Sequence, residues 1–308
     1  MGKKLSTRQA YGATLAEIGA DKRVVVMDAD LSKSTNTDTF RQVYPDRHFN
    51  MGIAEGNMMS VAAGLASTGK IVFASSFAMF ATARAAEQIR NSIAYPKLNV
   101  KVCASHAGIT VGEDGASHQC IEDIAIMRAI PNMVIMNPCD DDTTQAAIKA
   151  AYAHEGPCYV RLGRLAVEPV YDENVKFELG KGIQIRDGKD VAIIATGVMV
   201  QEAIKAADLL AAEGISARVI DMHTIKPIDK DMIVKASKEI GVIVTCEEHN
   251  IIGGLGSAVA EVVAEEAPCK VKRVGVKDKF GKSGTPAELM KLYEMTAEDI
   301  VKAVKEAI

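Results

Sequence analysis

Along this chain, short apolar runs rich in Val and Ile alternate with longer stretches in which apolar residues recur every three or four positions. The short runs fit buried strands, and the longer stretches fit helices with one face turned inward. In the first half the runs predict strands over 24–27, 71–73, 100–103, 133–136 and 159–161. Between them the periodicity predicts helices around 7–19, 57–68, 81–93, 121–129 and 142–154. From 165 to 190 the pattern breaks. Pro169, Asp172, Gly180, Gly182 and Gly188 punctuate a stretch without helical period, which reads as a linker with a short hairpin. A second alternating unit follows, with strands over 191–195, 217–220, 242–245 and 272–276 and helices over 200–213, 230–239 and 255–266. A last helix is expected over 297–308. Alternation of this kind predicts an α/β fold of two domains, each a mainly parallel sheet covered by helices. The expected boundaries are 1–165 and 190–308, with 166–189 as the linker.

Composition agrees with two packed cores and narrows the function. The chain has 308 residues, more than one core usually organises, and 48% of them are hydrophobic. A net charge of −4 argues against nucleic-acid binding, which needs a basic excess. Six cysteines are scattered without a C-x-x-C pair, which fits reduced thiols better than a disulfide or zinc framework. The start of the chain, Met1 to Arg8, is polar, and no apolar run reaches the ~18 residues a membrane helix needs. The expectation is a cytoplasmic protein with no membrane contact.

In open parallel sheets ligands collect beyond the carboxyl ends of the strands. That rule points to the loops 28–37, 74–80, 104–119 and 137–142. The richest is Ser105-His106-Ala107-Gly108-Ile109-Thr110-Val111-Gly112-Glu113-Asp114-Gly115-Ala116-Ser117-His118-Gln119, with two histidines, two acids and three glycines. Glycines let the backbone turn tightly and approach a ligand, and histidines move protons near neutral pH. The spacing matches no standard metal-ligand set, so no metal is expected on this chain. Glu55, in Gly52-Ile53-Ala54-Glu55, stands at the mouth of an apolar helix. In isolation it reads as a helix cap, and the alternative is a carboxyl that shares a proton with a ligand nitrogen. Phe77 and Phe80 are three apart at the expected opening of a helix and so share a face, either as core or as a slot for an aromatic ring. Arg8, Ser34 and Arg164, with Asp30 near Ser34 in sequence, have the donors a phosphate needs, although each alone reads as a surface residue. Gly253-Gly254-Leu255-Gly256 resembles a dinucleotide loop only in part, and a tight strand-to-helix turn explains it.

Taken together, these segments resemble the pyrimidine-binding and C-terminal domains of transketolase, a thiamine-diphosphate enzyme family. Gly52-Ile53-Ala54-Glu55 looks like the family's glutamate motif. Gly112-Glu113-Asp114-Gly115-Ala116-Ser117-His118-Gln119 looks like its G-E-D-G-P-T-H-Q segment with Ala116 in place of proline, and Arg128-Ala129-Ile130-Pro131-Asn132 also matches. The likeness covers nearly the whole chain, is tightest over 105–132 and loosens after 190.

The resemblance implies roles residue by residue. Glu55 would hydrogen-bond the aminopyrimidine ring, Phe77 and Phe80 would pack on it, and Asp30 would lie near the coenzyme. A third aromatic usual in the family is Ala83 here. Asp114 would contact a sugar hydroxyl. Arg8, Ser34, His106 and Arg164 would hold the sugar phosphate, and His118 would lie near the reacting carbons. Glu55, His106 and His118 would be the catalytic set, with the two histidines moving hydroxyl protons. The implied activity is transfer of a two-carbon ketol unit between sugar phosphates. In this family a separate domain holds the diphosphate through Mg²⁺ with a G-D-G segment, and this sequence contains no G-D-G. A second polypeptide carrying it, an N-terminal transketolase subunit, is therefore the expected partner, in a heterotetramer built on a dimer of this chain. The alternatives are the beta subunit of a 2-oxoacid dehydrogenase, a deoxyxylulose-phosphate-synthase-like enzyme, and a catalytically silent regulatory subunit.

Overall fold

The structure is a computed structural model that describes residues 4–308, so Met1, Gly2 and Lys3 of the polar start lie outside the described residues. The first domain holds strands β1 (Val24–Asp28), β2 (His48–Asn50), β3 (Ile71–Phe77), β4 (Val100–Ser105), β5 (Val134–Met136) and β6 (Cys158–Arg161). The second half adds β7 (Ile183–Arg186), β8 (Val191–Ala195), β9 (Ala217–Asp221), β10 (Thr224–Lys226), β11 (Val242–Asn250) and β12 (Lys270–Val276). They form a seven-stranded sheet in the order β10-β5-β6-β4-β3-β1-β2 and a five-stranded sheet in the order β12-β11-β8-β9-β7. All pairings are parallel except those of β10 with β5 and β7 with β9, so the expected two-domain α/β architecture holds.

Successive strand residues face opposite sides, and the apolar runs are therefore buried on both. In the first sheet Val25, Met27, Val72 and Val102 face the helix Glu55–Ser67 through Met58, Met59 and Ala62. Val24, Val26, Phe73 and Val160 face the other way, against Tyr11, Leu15, Ala147 and Ile148 of the helices Thr7–Ile18 and Asp141–Ala153. The second sheet repeats the scheme. Val191, Ile193 and Ala195 meet the helices Met199–Ala212 and Ala297–Lys305, while Ala192 and Ile194 meet Lys230–Ile240 and Leu255–Glu266.

Four local expectations change. β3 runs four residues further than predicted, so Phe77 closes a strand rather than opening a helix. The helix expected over 81–93 forms as two π-helical turns, Phe80–Arg84 and Ile89–Ala94, around the short helix Ala86–Gln88. No hairpin forms within 165–190; Ile183–Arg186 instead pairs with β9 and joins the second sheet, taking residues that the sequence reading leaves to the linker. β10 crosses over: Thr224 and Lys226, from the second half, pair with Met136 and Ile135 and extend the first sheet. Lys226 reinforces the crossing by donating from Nζ to the carbonyls of Arg128 and Ile130 at 2.7 and 2.6 Å. Among the described residues no helix is long and apolar enough to cross a membrane.

Candidate active site

The carboxyl ends of β1, β3, β4 and β6 deliver most of the singled-out residues, while Glu55 follows β2 and Arg8 lies on the helix Thr7–Ile18. Glu55 begins its helix, yet its carboxylate caps no backbone amide. It is 1% exposed, with Oε1 accepting from Ser76 Oγ at 3.1 Å and Oε2 accepting from Arg84 Nη1 at 2.8 Å. The carboxylate thus makes no cap hydrogen bond, with one oxygen on Ser76 of β3 and the other on Arg84 of the π turn that follows.

Phe77 and Phe80 lie near-parallel, 23° apart, with ring centroids separated by 6.1 Å. His106 stacks on Phe77 at 3.8 Å, and His118 meets Phe80 edge-on at 5.3 Å. Two phenyl rings and two imidazoles thus form one contiguous cluster. Arg84, half exposed, lays its guanidinium 4.7 Å from the Phe80 centroid while binding Glu55, so one planar cation touches the carboxylate and an aromatic face together.

His106 is held in the left-handed region, φ 58°, with Nδ1 and the Ser105 hydroxyl 2.9 Å apart. Burial, then the Arg8 and Arg164 guanidiniums and His118, push its pKa down to about 3, so the ring is neutral at physiological pH. Arg8 donates from Nη1 to the Ser34 carbonyl at 2.7 Å, and its Nε is buried without a partner. Burial and the nearby Arg164 hold Arg8 below its usual value, since two cations here repel. Ser34 therefore enters the structure through its carbonyl. Arg164 donates to the Val111 carbonyl and lies 3.5 and 3.9 Å from the Glu113 and Asp114 carboxylates. Arg8 and Arg164, with the neutral His106, make a donor-rich wall whose positive charge comes from the two guanidiniums and is met in part by Glu113 and Asp114.

Asp30 stands apart from this wall. Its carboxylate accepts from Asn50 Nδ2 at 2.9 Å and its amide donates to Asn50 Oδ1 at 3.1 Å, which ties it to the turn leading into Glu55. The Gly253–Gly256 turn takes no phosphate-like role: the Glu247 carboxylate already accepts the Leu255 and Gly256 amides at 2.7 and 2.8 Å. Among the described residues no group of three or more His, Cys, Asp or Glu side chains could hold a metal ion.

Sequence reasoning missed Ser76, Arg84, Arg161 and Glu248. Ser76 and Arg161 carried a usable signal, a polar residue inside an otherwise apolar strand. Glu248 belongs to a charged triplet, Glu247-Glu248-His249, that follows the apolar run of β11 and falls under the same strand-end rule.

The class this architecture defines is visible in the comparisons. The family described as "Transketolase, pyrimidine binding domain" matches residues 3–169, and "Transketolase, C-terminal domain" matches residues 180–300. The chain belongs to the transketolase family. A protein of Methanocaldococcus jannaschii assigned as a transketolase C-terminal section is 54% identical over 303 residues, spanning 97% of this chain and 95% of the relative. A 6-deoxy-6-sulfo-D-fructose transketolase subunit of Clostridium sp. (strain MSTE9) is 44% identical over 300 residues, 97% of this chain and 93% of the relative. A solved split-gene transketolase, described as an inactive beta4 tetramer, superposes with a TM-score of 0.92 at 54% identity over 98% of each chain. Against the transketolase of Rattus norvegicus the identity is 39%, and the chain spans 99% of itself but 49% of that protein. Within the family it corresponds to the C-terminal section of a split transketolase.

Proposed function

We propose that this chain, joined to a separate diphosphate-binding subunit, transfers a two-carbon ketol unit from a ketose phosphate to an aldose phosphate. The observation that carries the reading is the cluster of Phe77, His106, His118 and Phe80 beside the buried Glu55, with Arg8 and Arg164 behind it. Its chemistry fits one half of thiamine diphosphate: a buried carboxyl and an aromatic face suit an aminopyrimidine. Glu55, Phe77 and Phe80 would hold that ring, with Asp30 nearby. When bound, the coenzyme supplies a nucleophilic carbon and an electron sink for breaking a C–C bond beside a carbonyl.

The chain's own residues set the rest. Glu55 would hold a proton at the ring nitrogen, which requires Arg84 to release Oε2. Arg8 and Arg164 would grip the donor's phosphate, aided by His106 and the Ser34 turn, and Asp114 would take a sugar hydroxyl. His106, neutral in the free chain, can donate through one nitrogen and accept through the other. Burial is the main cause of its lowered pKa; an arriving dianion would offset only the smaller contribution of the two guanidiniums. His118, edge-on to Phe80, would stand nearest the reacting carbons.

The Mg²⁺ and a G-D-G segment would come from the partner, in a heterotetramer built on a dimer of this chain. Relatives of the same span that are C-terminal sections support this, as does the match to about half of a full-length transketolase. The test is reconstitution. This chain alone with Mg²⁺ and thiamine diphosphate should show no ketol transfer, and adding a partner that carries G-D-G should restore it, read by a coupled assay of product aldose. Turnover by the lone chain overturns the two-chain reading, and a silent reconstituted pair overturns the reaction. Because the Clostridium relative is named for a sulfonated ketose, and guanidinium also suits sulfonate, the assay takes both a phosphorylated and a sulfonated donor.

Arg84 yields a second expected result. Its guanidinium already occupies both contacts assigned to the pyrimidine, Glu55 Oε2 and the Phe80 face. Arg84→Ala should therefore bind thiamine diphosphate several-fold tighter than wild type in the lone chain by titration calorimetry. Equal or weaker binding means that the arginine is no competitor.

A further inference from the structure

We infer that the C-terminal domain shapes the active site through Glu248, a positioning residue for the loop that carries His106, Asp114 and His118. The inference rests on the ketol-transfer reading for its kinetic arm alone.

The loop between β4 and the helix Asp123–Arg128 is held only in part by its own bonds, among them Gly108 amide to Cys120 carbonyl and Gly115 amide to Gly112 carbonyl. It turns at Gly108, Gly112 and Gly115, with φ of 83°, 86° and 74°, and contains only a broken 3-10 segment, Ile109–Asp114. Further support comes from the other domain. Glu248 on β11 is 4% exposed, and its Oε1 accepts the Thr110 amide at 2.5 Å. A Cβ on Gly108 would lie 2.3 Å from the Glu248 carboxyl carbon, so the loop backbone is folded directly over that carboxylate. Glu248 is itself fixed: Arg161 Nη2 donates to its carbonyl at 2.9 Å, while Arg161 Nε binds the buried Asp123 at 2.7 Å.

A second tie holds the far end. Gln119 Nε2 donates to the carbonyls of Ile109 and Gly112 within the loop and to that of Lys282 in the C-terminal domain, at 3.1, 3.1 and 2.9 Å. Gly115 packs on Ser283, whose Oγ would be 2.5 Å from an added Cβ. The loop is thus pinned at Gly108–Thr110 and again at Gly112–Gly115. Two residues before Gly108, His106 keeps its left-handed backbone and its stack on Phe77 because the chain beyond it cannot relax. Glu248 faces the back of the loop and reaches the substrate groups only through it. The burial that raises its pKa above the usual carboxylate value is relieved by Arg161 and the Thr110 amide. A carboxylate so placed is more exacting than a packing residue, because it fixes one named amide.

The test compares wild type with Glu248→Ala, Glu248→Gln and Gly108→Ala. In the lone chain, amide hydrogen exchange over 106–119 should quicken by about tenfold in Glu248→Ala and Gly108→Ala, with exchange in β1, β3 and β8 unchanged. Glu248→Gln, whose amide oxygen still accepts from Thr110, should restore most of the protection. In the reconstituted enzyme, loosening the loop should cost on the order of 10²-fold in kcat/KM. The loss should fall on donor KM and kcat, with coenzyme affinity held. If exchange over 106–119 is unchanged in Glu248→Ala and Gly108→Ala, the clamp is refuted. If exchange quickens while donor kinetics stay at wild type, the positioning role is refuted. Should Glu248→Ala fail to fold, Glu248→Asp, which keeps the charge but is a methylene too short to hold the Thr110 amide, decides the question: exchange over 106–119 at the wild-type rate refutes the clamp. A wild-type pair without turnover counts against the ketol-transfer reading, and the exchange measurement then judges the clamp alone.

Discussion

Glu55→Gln should leave a folded protein whose reconstituted turnover is lower by about 10²–10⁴-fold, the range for losing a positioned proton donor or acceptor. The substitution is close to isosteric, and its single amide oxygen keeps an acceptor for either Ser76 or Arg84 but not for both. Arg84 is half exposed, so water can solvate whatever charge the change leaves unpaired. Stability is therefore expected to move little, which thermal unfolding will show, and the loss should appear in kcat. Glutamine cannot hold and release a proton at a ring nitrogen, which is the property assigned to the carboxyl. A variant within about threefold of wild-type kcat removes Glu55 from the catalytic set, and with it the main argument against a silent regulatory subunit.

Arg8→Ala and Arg164→Ala should each raise the KM for a phosphorylated donor by roughly 10–100-fold. A hydrogen bond to a charged group contributes about 1.5–3 kcal/mol, and each 1.4 kcal/mol is a tenfold change. The two cations crowd each other in the free chain, where Arg8 is held below its usual value by burial and by Arg164. Removing either relieves that repulsion, so stability should hold or rise while donor affinity falls. The contrast separates a binding role from a structural one. A ketose without the phosphate should lose much less with either variant. Equal losses on charged and uncharged donors would show that these arginines shape the loop and do not read an anion. Arg164 is the more exposed to that outcome, because it also donates to the Val111 carbonyl.

Much of this site was legible in order along the chain and little of it in space. The strand-end rule picked out the loops bearing Asp30, Phe77, Phe80, His106 and His118 because parallel sheets place their carboxyl ends together. Periodicity failed where the backbone leaves the 3.6-residue repeat. Phe80 and Arg84 are four apart, a spacing any helix brings onto one face, but periodicity gives no sign that the same guanidinium reaches Glu55, 29 residues earlier. Its three-residue spacing from Phe80 places Phe77 at the opening of a helix, whereas β3 continues through Ser75 and Ser76 by pairing with Cys103 and Ala104. Glu248 stayed hidden for another reason: its target, the Thr110 amide, is 138 residues away in sequence. Such pairings follow from domain docking, which local pattern does not encode.

The crossing of β10 bears on what counts as a part. By chain order Thr224–Lys226 belongs to the second half, yet it supplies the edge strand beside β5 in the first. Cutting the chain in the stretch between the domains would strip Ile135 and Met136 of their neighbour and leave an apolar strand edge bare, the kind of edge that recruits other chains. Within this chain the second half lends a strand to the first sheet, and shuffling one half without the other would leave that sheet open to other chains.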